Sequence, residues 1–191
     1  VKFYSQYQED RFLYESGLLP ERGVFVEIGA SDGVTGSNTK MLEETGWSGL
    51  CVDADPRWFE ALTKTRKKIL QAAVAEYDGI TEFYLDGDPT LSGISPPGFH
   101  QATKIHVPCL RLDTILDHFQ MVPDLISIDT EGTEVDVLNS FDIDFYSPEI
   151  LIVEYLSQQL DTSERIADYF HEHPRYRMIH RSESNQIWLF Q

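Results

Sequence analysis

Six acidic residues occupy positions where this chain could do chemistry: Glu27, Asp53, Asp55, Asp129, Glu131 and Glu154. They close or directly follow short apolar runs: Val24-Phe25-Val26-Glu27-Ile28, Gly49-Leu50-Cys51-Val52-Asp53, Asp124-Leu125-Ile126-Ser127-Ile128-Asp129, and Glu149-Ile150-Leu151-Ile152-Val153-Glu154. Runs of this length and character read as buried parallel strands. In open α/β sheets ligands gather at the carboxyl ends of the strands, near the point where strand order reverses. Acids at several strand ends would therefore face one ligand.

The first strand end is the sharpest. After Glu27 the chain reads Gly29-Ala30-Ser31-Asp32-Gly33. Glycines here permit a tight turn and close backbone approach to a ligand, and the preceding carboxylate can hold a cationic amino group. The spacing Gly-x-x-x-Gly differs from the Gly-x-Gly-x-x-Gly cradle of dinucleotide enzymes, which speaks against a nicotinamide-dependent oxidoreductase. Downstream, Asp53 closes the second strand. Asp55 lies at the distance where an acid bonds the two hydroxyls of a ribose, and before Pro56 it also reads as a helix N-cap. Ala72-Ala73-Val74 is small and apolar enough to lie against an adenine ring, with Ala73 central; core packing accounts for it equally well.

Asp129, Glu131 and Glu154 form the reactive set. An Asp ending a strand and a Glu opening the next loop can reach one point above the sheet edge, as general base or as metal ligands. Oxygen-only ligands suit Mg²⁺. Glu131 and Glu134 also read as first-turn acids complementing a helix dipole. His100 is the histidine best placed to join the site, because it lies on the long loop 86–104. Tyr155, beside Glu154, is a candidate for the acceptor pocket. His171 and His173 do not share a helix face, so they are not a chelating pair.

The elements that must position these groups follow from pattern. A helix over 6–16 stops near Gly17. Another carries Met41 and Leu42, with Ser37 or Asn38 capping it and Gly46 ending it. Pro56 opens a helix through about Lys67. Ile69–Val74 and Thr81–Leu85 read as strands, and residues 86–104 as a loop near the site. Helices follow over 110–119, 134–140 and 162–173. Tyr176–His180 and Gln186–Phe190 read as a closing hairpin around Glu183-Ser184-Asn185. Alternating strands and helices predict one α/β domain over 1–191, with a mostly parallel seven-strand sheet, an antiparallel C-terminal hairpin and helices on both faces.

Composition narrows the partners. Fifteen Lys and Arg against 32 Asp and Glu leave a net charge of −17. Nucleic-acid binding relies on cations displacing counterions from phosphates, so this balance disfavours it. Arg66-Lys67-Lys68 is the one compact basic run and reads as a solvated helix end. Cys51 and Cys109 read as core residues. No apolar run is long enough to span a membrane. The first residues carry neither an initiator Met nor a signal-peptide pattern, so the chain reads as part of a longer one, with the cytoplasm as the default compartment.

Several motifs, in order, resemble the FkbM-type methyltransferases. They are Phe25 to Gly33, Ser37-Asn38, Gly46 to Val52, Asp55-Pro56, and Asp124 to Glu134 with Val137-Leu138. Ser5-Gln6 with Glu9-Asp10 is similar to the family's N-terminal helix. The resemblance implies a Rossmann-like class I methyltransferase fold and S-adenosylmethionine as cofactor. It implies O-methylation of a sugar or other small hydroxyl compound as the reaction. The cofactor set assigned on this basis is Glu27, Gly29, Ala30, Asp32, Gly33, Asn38, Asp53, Asp55, Ala73 and Asp129; the catalytic set is Asp129, Glu131, Glu154 and His100. The competing reading is a cofactor-binding or interaction module of a larger protein, with little or no turnover.

Overall fold

A computed structural model describes residues 1–94, 102–155 and 161–191. The first half runs α1 (Glu9–Ser16), β1 (Val24–Ile28), α2 (Lys40–Thr45), β2 (Ser48–Asp53), α3 (Phe59–Thr65), β3 (Ile69–Gln71), β4 (Ala73–Val74) and β5 (Gly79–Leu85). The second half continues β6 (Thr103–Leu110), α4 (Leu112–Phe119), β7 (Leu125–Ile128), α5 (Glu134–Leu138), α6 (Ile143–Tyr146), β8 (Ile150–Glu154), α7 (Ser163–Glu172), β9 (Tyr176–Arg181) and β10 (Asn185–Phe190). A 3₁₀ turn covers Pro89–Leu91.

The main sheet has seven strands in the order β3-β2-β1-β7-β8-β10-β9. Strands from β3 to β8 pair in parallel, whereas β10 runs antiparallel to both β8 and β9. The expected closing hairpin is therefore present. Strand order turns at β1, which pairs with β2 on one side and β7 on the other.

Alternation along each strand explains the layers. Val26, Leu50, Val52, Ile126, Ile128, Leu151 and Val153 pack with residues of α4, α5 and α7 on one face. Phe25, Cys51, Leu125, Ile150 and Ile152 pack with Leu13, Met41, Leu42 and Leu62 on the other. With both faces covered, every second residue cannot be polar, which is why these strands read as continuous apolar runs.

Three expectations change. The strand expected over 69–74 breaks at Ala72: β3 stays in the main sheet, while β4 joins a separate three-stranded sheet of order β4-β6-β5. The end of the expected loop 86–104 and the residues after it form β6, paired antiparallel with β5 from Gly79↔Cys109 to Leu85↔Thr103. Its outward residues are polar, so the strand shows only weak apolar alternation. The helix after Pro56 is shorter than expected, Phe59–Thr65. Cys51 and Cys109 are free thiols in the core, and burial pushes both upward in pKa. Among the described residues no helix is long and apolar enough to cross a membrane.

Candidate functional site

The carboxyl ends of β1, β2, β7 and β8 open into one cavity of about 820 Å³. Glu27, Gly29, Ala30 and Asn38 line it from the first strand and its turn, Asp53 and Asp55 from the second, and Asp129, Glu131 and Glu154 from the seventh and eighth. A small annex of about 50 Å³ adjoins it, sharing Gly29, Asp53, Phe83 and Asp129 and adding Ala54, Ala73 and Val74. The sequence thus brings nine of its candidate residues to the cavity and Ala73 to the annex. Asp32 and Gly33 line neither. His100 lies outside the described residues.

The turn after β1 is built on itself. Gly29 N–H and Ala30 N–H donate to Val52 carbonyl oxygen at 2.9 and 3.2 Å. Ser31 N–H donates to Asp53 Oδ2 at 2.7 Å. Asp32 accepts from Val34 and Thr35 N–H and from the Thr35 hydroxyl, so its carboxylate shapes the turn. A Cβ on Gly29, at φ +80°, would lie 1.6 Å from the Asp129 carbonyl oxygen. Only glycine lets the ends of β1 and β7 pass this closely. Gly33, at φ +78°, leaves room instead for the Arg66 side chain, whose Cγ would be 2.6 Å from an added Cβ.

Arg66 corrects the reading of its basic run. It is no solvated helix end: its side chain has 0% exposure and pairs with Glu27 at 2.9 Å and Glu43 at 3.4 Å. It also donates to Gly33 carbonyl oxygen, Ser37 Oγ and Thr39 Oγ1. Glu27 further accepts from the Ser37 and Thr39 hydroxyls and from Asn38 N–H. The charge expected to meet a ligand's amino group is therefore matched from behind by a buried guanidinium. Asn38 Nδ2 donates to Ser127 Oγ at 3.1 Å, while its buried Oδ1 has no hydrogen-bond partner among the described residues.

The two acids of β2 divide their work. Asp55 is buried, with its carboxylate gripped by Arg57 through Nε at 3.0 Å and Nη2 at 2.6 Å. Arg57 in turn donates to Asp86 carbonyl oxygen and Ser92 Oγ, holding residues 86–92 against the cavity. Asp53 is half-buried at the junction of cavity and annex and accepts one backbone N–H on each oxygen. Burial, with the charges of Asp55 and Asp129, pushes its pKa up to about 7 against the pull of those N–H bonds.

At the ends of β7 and β8, oxygens of Asp129, Glu131 and Glu154 all lie within 4.8 Å of one another. The carboxylates of Asp129 and Glu154 lie close enough within this cluster that ionising both is costly. Burial first, then the charges of Asp129, Glu131 and Glu134, pushes Glu154 far upward. Asp129 is reached by solvent through the cavity, so Glu154 is the natural holder of a proton. Glu131 sits at φ +58°, unusual for a side chain of its size, and Gly132 follows at φ +110°. Such backbone strain is commonly kept where a side chain must be aimed. Glu134 is the acid that stabilises this turn, accepting from Thr130 and Gly132 N–H. Tyr155 is a core residue whose hydroxyl donates to the carbonyls of Ser182 and Glu183.

Two contributions escaped the sequence reading. Tyr4, Gln6 and Tyr7 line the cavity, although the Ser5-Gln6…Glu9-Asp10 pattern had marked the segment only as a helix. Phe83, on the second sheet, borders both cavity and annex.

Residues 27–180 match the sequence model of the family described as Methyltransferase FkbM domain. No curated protein matches the chain in sequence. Among solved structures, precorrin-6Y C5,15-methyltransferase from Geobacter metallireducens is similar with a TM-score of 0.54 at 14% identity, covering 100% of this chain and 92% of that one. The C-terminal domain of the same enzyme from Rhodobacter capsulatus gives a TM-score of 0.46 at 12% identity, covering 94% of this chain and 85% of that one.

Proposed function

The chain belongs to the Methyltransferase FkbM domain family, and from that premise we propose that it methylates a hydroxyl of a sugar or other small acceptor, using S-adenosylmethionine. The observation that carries this reading is one cavity lined both by Asp53, whose carboxylate accepts only two backbone N–H groups, and by the cluster of Asp129, Glu131 and Glu154. Asp53 suits the ribose, because its oxygens accept only one backbone N–H each and retain capacity for two hydroxyls. Ala73 and Phe83 border the annex, which suits the adenine. The unpartnered Asn38 Oδ1 suits the ammonium group, beside Glu27. Asp55 acts at one remove, orienting Arg57 and the 86–92 wall.

When bound, the cofactor supplies an electrophilic methyl group on a sulfonium centre. The protein's part is to align the acceptor and receive its proton. Asp129 is the base in this reading. Glu154 keeps a proton and so orients the Asp129 carboxylate, while Glu131 accepts from a neighbouring acceptor hydroxyl. The same three acids offer the oxygen ligands a Mg²⁺ ion prefers, which makes a chelator part of the test.

Labelled methyl transfer across a panel of sugars and small hydroxyl compounds, beside calorimetric binding of S-adenosylhomocysteine, tests the proposal. Asp129→Asn is expected to lower turnover by about 10²–10⁴-fold with cofactor affinity retained. Loss of transfer in chelator, restored by Mg²⁺, would assign the acids to a metal. Full activity in Asp129→Asn combined with Glu131→Gln would overturn the assignment and leave His100 as the next residue to test. Cofactor binding without transfer to any acceptor would favour the binding-module reading.

A further inference from the structure

The cavity is acidic throughout. Glu27, Asp53, Asp55, Asp129, Glu131 and Glu154 line it, and among the described residues no Lys, Arg or His does. Such a cavity welcomes a sulfonium and an ammonium. The group it receives worst is the carboxylate at the amino-acid end of S-adenosylmethionine.

Most backbone donors of the β1 turn are already engaged: the N–H groups of Gly29, Ala30, Ser31, Gly33, Val34 and Thr35 all have internal acceptors. Neutral side-chain donors also stand at the cavity wall, and two of them lie together on the N-terminal segment. Gln6 Nε2 donates to the Tyr7 hydroxyl oxygen at 3.1 Å. Each retains a proton to give, the second amide hydrogen of Gln6 and the hydroxyl hydrogen of Tyr7. Both residues line the wide cavity and neither borders the annex, which puts them at the end away from the adenine.

The segment is held in place by two fully buried carboxylates. Asp10 accepts from Tyr4 N–H at 2.6 Å and Ser5 N–H at 3.3 Å, and its own N–H donates to Ser5 Oγ. Glu9 accepts from Tyr7 N–H at 3.1 Å on one oxygen and from Ser182 Oγ and Asn185 Nδ2 on the other. One side chain thus ties the segment to the β9–β10 turn, whose Ser184 also lines the cavity. Ser5 pairs with Gly36, in the segment between β1 and α2. Burying two carboxylates to order a short stretch of chain is expensive, and it orders the stretch that overlooks the ligand.

We propose that residues 4–8 are part of the cofactor site, with Gln6 and Tyr7 donating to the carboxylate of the amino-acid end and Glu9 positioning them; this rests on S-adenosylmethionine being the ligand. Calorimetry with two probes tests it: S-adenosylhomocysteine, which has that carboxylate, and 5′-methylthioadenosine, which lacks the amino-acid end. Combined Gln6→Ala and Tyr7→Phe should weaken S-adenosylhomocysteine about tenfold or more and leave 5′-methylthioadenosine unchanged. Glu9→Gln should shift the ratio of the two affinities in the same direction. If that variant fails to fold, the Gln6 and Tyr7 variant decides, since both side chains are at least partly exposed. Equal loss of both probes, or no loss of either, overturns the proposal while the cofactor reading stands. A wild-type protein that binds neither probe overturns both.

Discussion

Replacing Arg66 by Met keeps the aliphatic stem and deletes the guanidinium. That group neutralises Glu27 and Glu43, whose side chains are 6% and 5% exposed, and bonds Gly33 carbonyl oxygen, Ser37 and Thr39. Removing one partner of a buried ion pair leaves an uncompensated charge and costs about 3–5 kcal/mol. The separate hydrogen bonds belong to the same network and are not added to this figure. For a domain of this size about 2–4 °C of Tm accompany each kcal/mol, so a fall of roughly 6–20 °C is expected. Adding Glu27→Gln to Arg66→Met should recover part of the loss, because it removes a charge the variant has stranded. The controls are Lys67→Met and Lys68→Met, on exposed neighbours of Arg66, which should stay within about 0.5 kcal/mol of wild type. Denaturant unfolding monitored by circular dichroism reads all of these. An Arg66→Met protein within about 1 kcal/mol of wild type, indistinguishable from its lysine neighbours, would refute the buried network.

Two further outcomes follow from the same geometry. Asp53→Ala should weaken S-adenosylhomocysteine by about 5–150-fold, the equivalent of 1–3 kcal/mol. Its carboxylate accepts two hydroxyls on both oxygens best when ionised, and its pKa is raised to about 7, so wild-type affinity should climb as pH rises through 7 and level off above it. Calorimetric titration between pH 6 and 8.5 checks this, and a flat profile, or an equal profile in Asp53→Asn, would count against Asp53 as the ribose ligand. Gly29→Ala places a Cβ 1.6 Å from Asp129 carbonyl oxygen at φ +80°, so the strand ends must separate; a stability loss above about 4 kcal/mol or failure to yield folded protein is expected, and a normally stable variant would show that the turn can reshape.

How far the sequence could be read depended on the range of the interactions. Covered on both faces, β1, β2, β7 and β8 had to be apolar along their whole length, and local pattern alone announced them, with the acids at their ends. The hairpin was equally legible, because turn residues separate two apolar runs. Where a neighbour distant in sequence decides, local pattern was silent. Ala72 is where the chain leaves one sheet for another, since β4 finds its partner Cys109 in β6. Of the two acids after β2, sequence assigns the ribose to Asp55; in the fold the Arg57 guanidinium holds the Asp55 carboxylate, whereas Asp53 accepts only two backbone N–H groups. Arg66 looks like its neighbours Lys67 and Lys68, yet Gly33 opens the one path by which it reaches Glu27. Composition, periodicity and turn chemistry act between near neighbours and so dictate elements and topology class. Which charge is spent and which is left for a ligand depends on side-chain geometry that pattern does not carry, in places across more than 30 positions, as between Arg66 and Gly33, and only the folded chain fixes it.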